Sequence, residues 1–213
     1  QTKMTDLIVK DDTAKGVVLA DGTTIEGEGV ILATGHSARD VYEMLNDKGI
    51  KLEQKTWAMG VRVEHPQDLI DEIQYHSPEG RGEYAAAYTL STQVEGRGVY
   101  SFCMCPGGFI VPAMTAPGQM VVNGMSPSKR NSPFANSGIV VEVHPEDIGE
   151  FQNDGVMGVI HYQEYYEKLA FNNGGRGITA PAQALADFVD GRISGELPET
   201  SYIPGVMSSP MHF

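Results

Sequence analysis

Glycine and proline divide this chain into short segments. The 213 residues include 25 glycines and 12 prolines, and both residue types mark turns and close approaches of the backbone. Several segments between them are runs of apolar, β-branched residues, which are typical of strands. The pattern therefore predicts short strands joined by many tight turns.

The overall composition excludes several classes of protein. Apolar residues make up 41% and charged residues 20% of the chain, as in ordinary globular proteins. The net charge of −13 repels phosphate backbones and anionic membrane surfaces. No apolar run approaches the roughly 20 residues of a membrane helix, and the first residues lack the pattern of a signal peptide. We expect a cytoplasmic protein that binds neither nucleic acid nor membranes.

The first 52 residues predict a hairpin, a buried strand and a helix. Asp21-Gly22 is a strong two-residue turn signal, with strands on either side of it. Val30–Ala33 is a continuous apolar run, as in a strand that is covered on both faces. Ser37 is a candidate N-cap for the following helix, and Gly49 is a candidate residue for its end.

The middle of the chain predicts further strands, and the last third predicts helices. Helices are expected after Pro66, with Leu69, Ile70 and Ile73 on one face, around residues 159–169, and over Pro181–Val189. Residues 76–83 and 126–137 are polar loops, and residues 196–213 predict an extended segment. The strands are expected over Trp57–Glu64, Tyr84–Thr92, Gly98–Cys105, Met120–Asn123 and Ile139–Val143. Together these elements predict a mixed α+β fold, a mainly antiparallel sheet with helices on one face.

Cys103 and Cys105 are the two cysteines of the chain, and Met104 separates them. On a regular strand they share one face with Ser101, opposite Phe102 and Met104. Two interpretations remain open: a reactive thiol pair, or two small, buried, reduced cysteines. Two cysteines form no disulfide framework, which favours a reducing compartment. The C-x-C spacing has no second metal-binding motif, so we expect no metal site.

Two groups of polar residues are candidates for substrate contacts. Arg62 and Glu64 share a strand face, either as a solvated ion pair or as the lining of a pocket, and His65 beside them is a candidate proton carrier. The loop with Arg130 favours capture of an anionic group, although an ordinary surface loop is the alternative. The other candidates in and near this loop are Asn123, Asn131, Asn136 and Ser137.

Five motifs in a fixed order carry a resemblance to a known family. They are Ile31–Asp40, Gly60–Pro66, Tyr100–Gly108, Val122–Ser126 and Ala135–Ser137. Together they closely resemble the bacterial FAD-dependent dehydrogenases often labelled "NAD(FAD)-utilizing dehydrogenase". The resemblance extends over essentially the whole chain. It implies an FAD-dependent oxidoreductase that acts on a small molecule, with NAD(P)H as a candidate electron partner.

The resemblance also implies roles for individual residues. In such flavoproteins the chain leaves the FAD domain through an A-T-G turn, which matches Ala33-Thr34-Gly35 here. With His36 and Ser37, this turn is the expected contact with FAD. The expected catalytic residues are Cys103, Cys105, His65 and Arg130, and the expected substrate-binding residues are Arg62, Glu64, Asn123, Asn131, Asn136 and Ser137.

Members of that family carry a G-x-G-x-x-G loop before this region and a flavin-contacting G-E-G-A-G-like segment after it. Neither occurs in this sequence, so we expect a middle piece that does not retain FAD by itself. The expected division is a partial FAD domain over residues 1–52, an inserted α+β domain over 53–190 and a return segment over 191–213. A non-catalytic binding module and a Cys-x-Cys redox module are the alternatives.

Overall fold

A computed structural model of the chain describes residues 2–77 and 84–211. Most of the polar loop expected over residues 76–83 lies outside this range. The first described element is a three-stranded antiparallel sheet of β1 (Met4–Lys10), β2 (Thr13–Leu19) and β3 (Thr24–Glu26). Gly22 has a φ of +83° in the turn between β2 and β3, which confirms the predicted hairpin.

The buried strand expected over Val30–Ala33 is wrong. These residues form no regular secondary structure, and Ile31 is 94% exposed. An apolar run becomes a strand only where a neighbouring strand offers hydrogen bonds, and β3 pairs with β2 alone among the described strands. Helix α1 (Arg39–Asp47) has Ala38 at its N-cap position and no side-chain cap, so the predicted cap at Ser37 is also wrong.

The next six strands are β4 (Trp57–Pro66), β5 (Ser91–Val94), β6 (Arg97–Cys105), β7 (Phe109–Pro112), β8 (Val122–Met125) and β9 (Phe134–Val143). Four of them form an antiparallel sheet at the centre of the molecule, in the order β4-β9-β6-β5. Its longest pairing joins β4 and β9 from Trp57 opposite Val143 to Pro66 opposite Phe134. A separate hairpin of β7 and β8 packs on β6 and β9.

Two sequence predictions in this region need correction. The strand expected over Tyr84–Thr92 begins only at Ser91, and the preceding described residues are irregular. The loop expected over residues 126–137 ends before Phe134, because the last part of it is the start of β9. Pairing with β4 along ten residues accounts for this strand, although its polar residues suggested a loop.

The helices also differ in part from expectation. In α2 (Gln67–Tyr75) Ile70 is buried, but Leu69 and Ile73 are exposed, so the predicted apolar face is wrong for those two. A 3₁₀ segment over Gly149–Met157 leads into α3 (Gly158–Asn173), which agrees with the predicted helix. The helix expected over Pro181–Val189 is only α4 (Leu185–Val189). Its first part is instead β10 (Ala180–Ala182), which pairs in parallel with β11 (Val206–Ser208) in the final segment.

The buried residues form two clusters. One lies between α2 and the central sheet and contains Ile70, Ala86 and Ala135. The other, around Met120 and Tyr202, joins α3 to the last segment of the chain. Helices and antiparallel sheets thus pack together, and the α+β class is confirmed. Within residues 2–77 and 84–211, no helix is long and apolar enough to cross a membrane.

Arg39 ties α1 to α3, and its removal should destabilise the fold. Its guanidinium donates to both carboxylate oxygens of Glu167, at 2.9 and 2.7 Å, and its side chain is only 17% exposed. Arg39→Ala removes both hydrogen bonds to the Glu167 carboxylate, and we expect a loss of about 2 kcal/mol in the free energy of unfolding. Lys168→Ala is the control, since it removes the exposed ammonium that pairs with Glu164 and leaves the contacts of Arg39 with Glu164 and Glu167 in place; such a pair is worth about 0.5 kcal/mol or less. Urea titration measures both, and equal losses would contradict the assignment.

Candidate functional site

The register of the central sheet assigns the candidate residues to two faces. Directly opposed residues of antiparallel strands lie on the same face. Arg62 opposes Gly138, and Glu64 opposes Asn136. This face lies against the β7–β8 hairpin and is called the hairpin face.

The other face packs against α2 and is called the helix face. Here His65 opposes Ala135, and Val63 opposes Ser137. The predicted site residues are therefore divided by the sheet itself. His65 and Ser137 lie on the helix face, while Arg62, Glu64 and Asn136 lie on the hairpin face.

Arg62 is the centre of a polar cluster on the hairpin face. Its Nη1 donates to Asn136 Oδ1 at 2.7 Å and to the Cys103 carbonyl at 3.3 Å. Its Nη2 donates to Asn123 Oδ1 at 3.5 Å. All three acceptors are neutral oxygens, so the guanidinium is held in place while its charge is not cancelled. We call Arg62, Cys103, Asn123, Gly124 and Asn136 the Arg62 site.

Gly124 allows the hairpin to approach this cluster. A Cβ at this position would lie 2.2 Å from Arg62 Nη1, 2.3 Å from Asn136 Oδ1 and 2.8 Å from Cys105 Sγ. Non-bonded heavy atoms do not approach so closely. The missing side chain is therefore what lets β8 cover the site, and Gly124 is a site residue that the sequence reasoning missed.

Asn136 is completely buried at the bottom of the Arg62 site. Its Oδ1 accepts from Arg62, while its Nδ2 is buried and has no hydrogen-bond partner in the described part of the chain. Buried amide donors are nearly always paired, and an unpaired one costs about 1–3 kcal/mol. Such a group marks a place where the protein lacks an acceptor.

A bulge in β6 overturns the predicted arrangement of the cysteines. Phe102 opposes Gly138, but the next pairing is Cys105 with Asn136, so β6 has one extra residue. Cys103 occupies the bulge with a φ of +48°. The sheet face therefore changes after Phe102, and the prediction that Ser101, Cys103 and Cys105 share a face is wrong.

The two thiols consequently have different surroundings. Cys103 is exposed and Cys105 is buried, and both are free thiols. The Cys105 thiol donates to the Cys103 carbonyl at 3.3 Å. The bulge thus directs one carbonyl towards both Arg62 and Cys105, which fixes the position of the Arg62 site.

Glu64 is bound by the last segment of the chain rather than by Arg62. The backbone N–H of Ser201 donates to Glu64 Oε2 at 3.0 Å, and the Ser201 hydroxyl donates to Oε1. The same hydroxyl accepts from the Ile110 N–H at 2.9 Å. Ser201 lies 137 positions from Glu64, and no local sequence signal could have revealed this contact.

The helix face carries a separate chain of hydrogen bonds. His65 Nε2 lies 2.9 Å from the Tyr88 hydroxyl, which lies 2.7 Å from Ser137 Oγ. Burial lowers the pKa of His65, against a smaller opposite effect of Glu64. Burial also raises the pKa of the Tyr88 phenol, against the hydrogen bond from Ser137 and the charge of Arg62. Both shifts favour the neutral forms, so the contact joins a neutral imidazole to a neutral phenol.

The remaining loop residues lie near a tight backbone contact. Arg130 and Asn131 are exposed. Arg130 has a φ of +45°, and its N–H donates to the Pro127 carbonyl at 2.9 Å. Arg62 lies beside the Cys103 carbonyl, and the anion-binding role of Arg130 stays a prediction.

The expected FAD contact residues form an open turn. Residues 31–37 are all exposed, and Gly35 has a φ of +82° with no atom within 4 Å of the position of a Cβ. Such a turn leaves room for a close approach of another molecule. Among the described residues the turn does not enclose one. No group of three His, Cys, Asp or Glu residues in the described part of the chain could hold a metal ion.

Comparison with known proteins supplies a family. Residues 56–213 match the family model described as "FAD-dependent protein, C-terminal domain-like". A protein of Clostridium beijerinckii, named "Uncharacterized protein", is 42% identical over 209 residues. The match covers 96% of this chain and 38% of that relative. The chain therefore spans less than half the length of the curated relative that it matches.

Proposed function

This chain belongs to the family of FAD-dependent proteins, C-terminal domain-like, and we propose that it is the substrate-covering portion of an FAD-dependent oxidoreductase. FAD, when bound in the longer protein, supplies the redox chemistry. The residues of this chain then orient the substrate and exclude water from it. The reaction is of the dehydrogenase type, with NAD(P)H as a candidate electron partner.

One observation carries the proposal. Arg62, Cys103 and Asn136 come from three different strands, and Asn123 and Gly124 come from the covering hairpin, yet all meet on the hairpin face. A cation held by neutral acceptors beneath the β7–β8 hairpin is suited to binding a polar substrate. His65 and Ser137 belong to the helix face and are not part of this binding role.

The same proposal divides the chain into three parts. Residues 1–52 contribute to the FAD domain and bring the exposed turn of Ala33-Thr34-Gly35 to the cofactor. Residues 53–190 form the inserted domain, and residues 191–213 return towards the FAD domain. The beginning of the family match at residue 56 supports the first boundary.

Protection of Cys103 tests whether the hairpin face lines the cofactor and substrate cleft. In the longer protein, peptide mapping follows the alkylation of Cys103 by iodoacetamide with FAD bound and after its removal. Because the Cys103 side chain is exposed and its backbone carbonyl accepts from Arg62, we expect bound FAD to slow alkylation of the thiol by about threefold or more. The reason is that bound FAD would cover the hairpin face and shield the Cys103 thiol from the reagent.

A cysteine at the far end of the sheet provides the control. Gln93 is exposed on β5 and opposes Gly98, at the end of β6 remote from Cys103. The rate at Gln93→Cys should not change when FAD is removed. Equal rates at Cys103 with and without FAD would contradict the proposed function.

A further inference from the structure

We propose that the Arg62 site binds the carboxylate of a small monoanionic substrate whose apolar body lies against Phe102. This inference rests on the proposed function and names the substrate class of the same site. It follows from the charge, the free donors and the apolar neighbour of Arg62.

The charge of Arg62 is not balanced by a carboxylate of the described residues. The ion pairs of residues 2–77 and 84–211 include none with Arg62. Glu64, two positions along the same face, is bound by the N–H and hydroxyl of Ser201. Although the chain has a net charge of −13, the hydrogen-bond partners of the Arg62 guanidinium are neutral. Its charge is available to a bound anion.

The donors of the guanidinium leave one edge for a ligand. The contacts with Asn136 and Cys103 use Nη1, and the contact with Asn123 is a long one from Nη2. None of these contacts uses Nε. A planar guanidinium binds a carboxylate through two parallel N–H groups, and its Nε and Nη2 edge has that form.

The amide that holds Arg62 has a donor that the described residues leave unused. Asn136 Nδ2 is buried without a partner, on the amide whose Oδ1 accepts from Arg62. Asn136 is completely buried, so this N–H does not itself contact a ligand. The group that faces a ligand is therefore the guanidinium, which Asn136 holds in place.

An exposed phenyl ring lies in the same row of the sheet as Arg62. Arg62 opposes Gly138, and Gly138 opposes Phe102, so the three residues lie side by side on three strands. Gly138 has no side chain between the other two, and Phe102 is 58% exposed. Two strand spacings, about 10 Å, separate the backbones of β4 and β6, and the Arg62 side chain crosses them, since its Nη1 reaches the carbonyl of Cys103, the residue after Phe102. The apolar body of a carboxylate bound at the guanidinium therefore has the phenyl ring nearby.

One guanidinium matches a monoanion. Phosphate groups are usually held by several cations or by a series of backbone N–H groups, whereas here the charged group at the centre of the cluster is Arg62. The favoured ligand is therefore a carboxylate rather than a phosphate. Inorganic phosphate distinguishes the two in the test.

The test compares benzoate, benzamide and inorganic phosphate by isothermal titration calorimetry with the protein. Benzamide has the shape of benzoate without its charge. We expect benzoate to bind about tenfold more tightly than benzamide and more tightly than phosphate. Arg62→Gln should abolish the preference for benzoate, and Arg62→Lys should retain part of it. Arg176→Gln removes an equal charge from an exposed turn after α3 and should change nothing.

Several outcomes would overturn the inference. Equal affinities for benzoate and benzamide would exclude recognition of charge, and tighter binding of phosphate would exclude the carboxylate class. Loss of the preference in Arg130→Gln but not in Arg62→Lys or Arg62→Gln would place the site elsewhere. Circular dichroism checks that each variant is folded. If Arg62→Gln does not fold, Arg62→Lys still tests the proposal. The alkylation experiment on Cys103 tests the proposed function and contains no carboxylate ligand. The proposed function and the carboxylate inference can therefore fail independently of each other.

Discussion

Gly107→Ala is expected to lower the free energy of unfolding by about 3 kcal/mol. Gly107 has a φ of +50°, which costs a residue with a side chain about 1 kcal/mol. A Cβ there would also lie 1.9 Å from the Arg130 carbonyl oxygen and 2.2 Å from its carbon. Backbone atoms cannot rotate away, and overpacking of this kind costs about 1–3 kcal/mol. The two effects add because one lies within Gly107 and the other lies between it and a neighbouring loop.

Gly118→Ala separates these two effects. Gly118 has a φ of +74°, but no atom lies within 4 Å of the position of its Cβ. It should lose only the conformational part, about 1 kcal/mol. Urea titration of both variants gives the comparison. A Gly107→Ala variant that is no less stable than Gly118→Ala would show that the loop around Arg130 can move away.

The local elements of the sequence were the most predictable part of this fold. Asp21-Gly22 specified a hairpin through the backbone conformation that only glycine adopts readily. The helix from Gly158 followed from the spacing of its apolar residues. Both signals act within a few residues, so the rest of the fold could not override them.

Predictions failed where an element depends on a distant partner. Val30–Ala33 has the composition of a buried strand, but no described strand pairs with it and Ile31 is exposed. Conversely, Phe134–Ser137 resembled a polar loop and became a strand because β4 pairs with it. Composition alone cannot indicate which strand will supply the hydrogen bonds.

The candidate site shows the same division. The sequence identified Arg62, Asn123 and Asn136 as polar candidates, and the structure brings these three together. The anion-binding role of Arg130 stays a prediction, while the contact of Arg62 with the Cys103 carbonyl was not foreseen. That contact arises from the bulge at Cys103, because one extra residue in β6 turns a carbonyl towards Arg62. Alternation along a regular strand predicts no such insertion.

Gln67→Ala is the second change with a large expected effect, about 3–4 kcal/mol of lost stability. Gln67 is 1% exposed, and its side chain bridges three parts of the chain. Its Oε1 accepts from the Gly107 N–H at 2.6 Å. Its Nε2 donates to Asp71 Oδ1 at 2.8 Å and to the Ala86 carbonyl at 3.0 Å.

The magnitude follows from what the truncation leaves behind. A buried N–H at Gly107 and a buried carbonyl at Ala86 would each lose a partner, at about 1–3 kcal/mol per group. A cavity the size of the lost amide adds to this cost. Gln67→Glu keeps the shape but replaces the donor with a second carboxylate beside Asp71, so its loss should be larger at neutral pH than at acidic pH. The reason is that protonation of the introduced carboxyl at acidic pH removes the repulsion.

Gln74→Ala on the same helix is the matched control. Gln74 is exposed on α2, so its truncation should change stability by no more than about 0.5 kcal/mol. Urea titration at two pH values compares the three variants. If Gln67→Ala were as mild as the control, water would have to replace the amide in contacts with Gly107, Asp71 and Ala86. The role of Gln67 in fixing the loop after β6, and through Gly107 the loop around Arg130, would then be wrong.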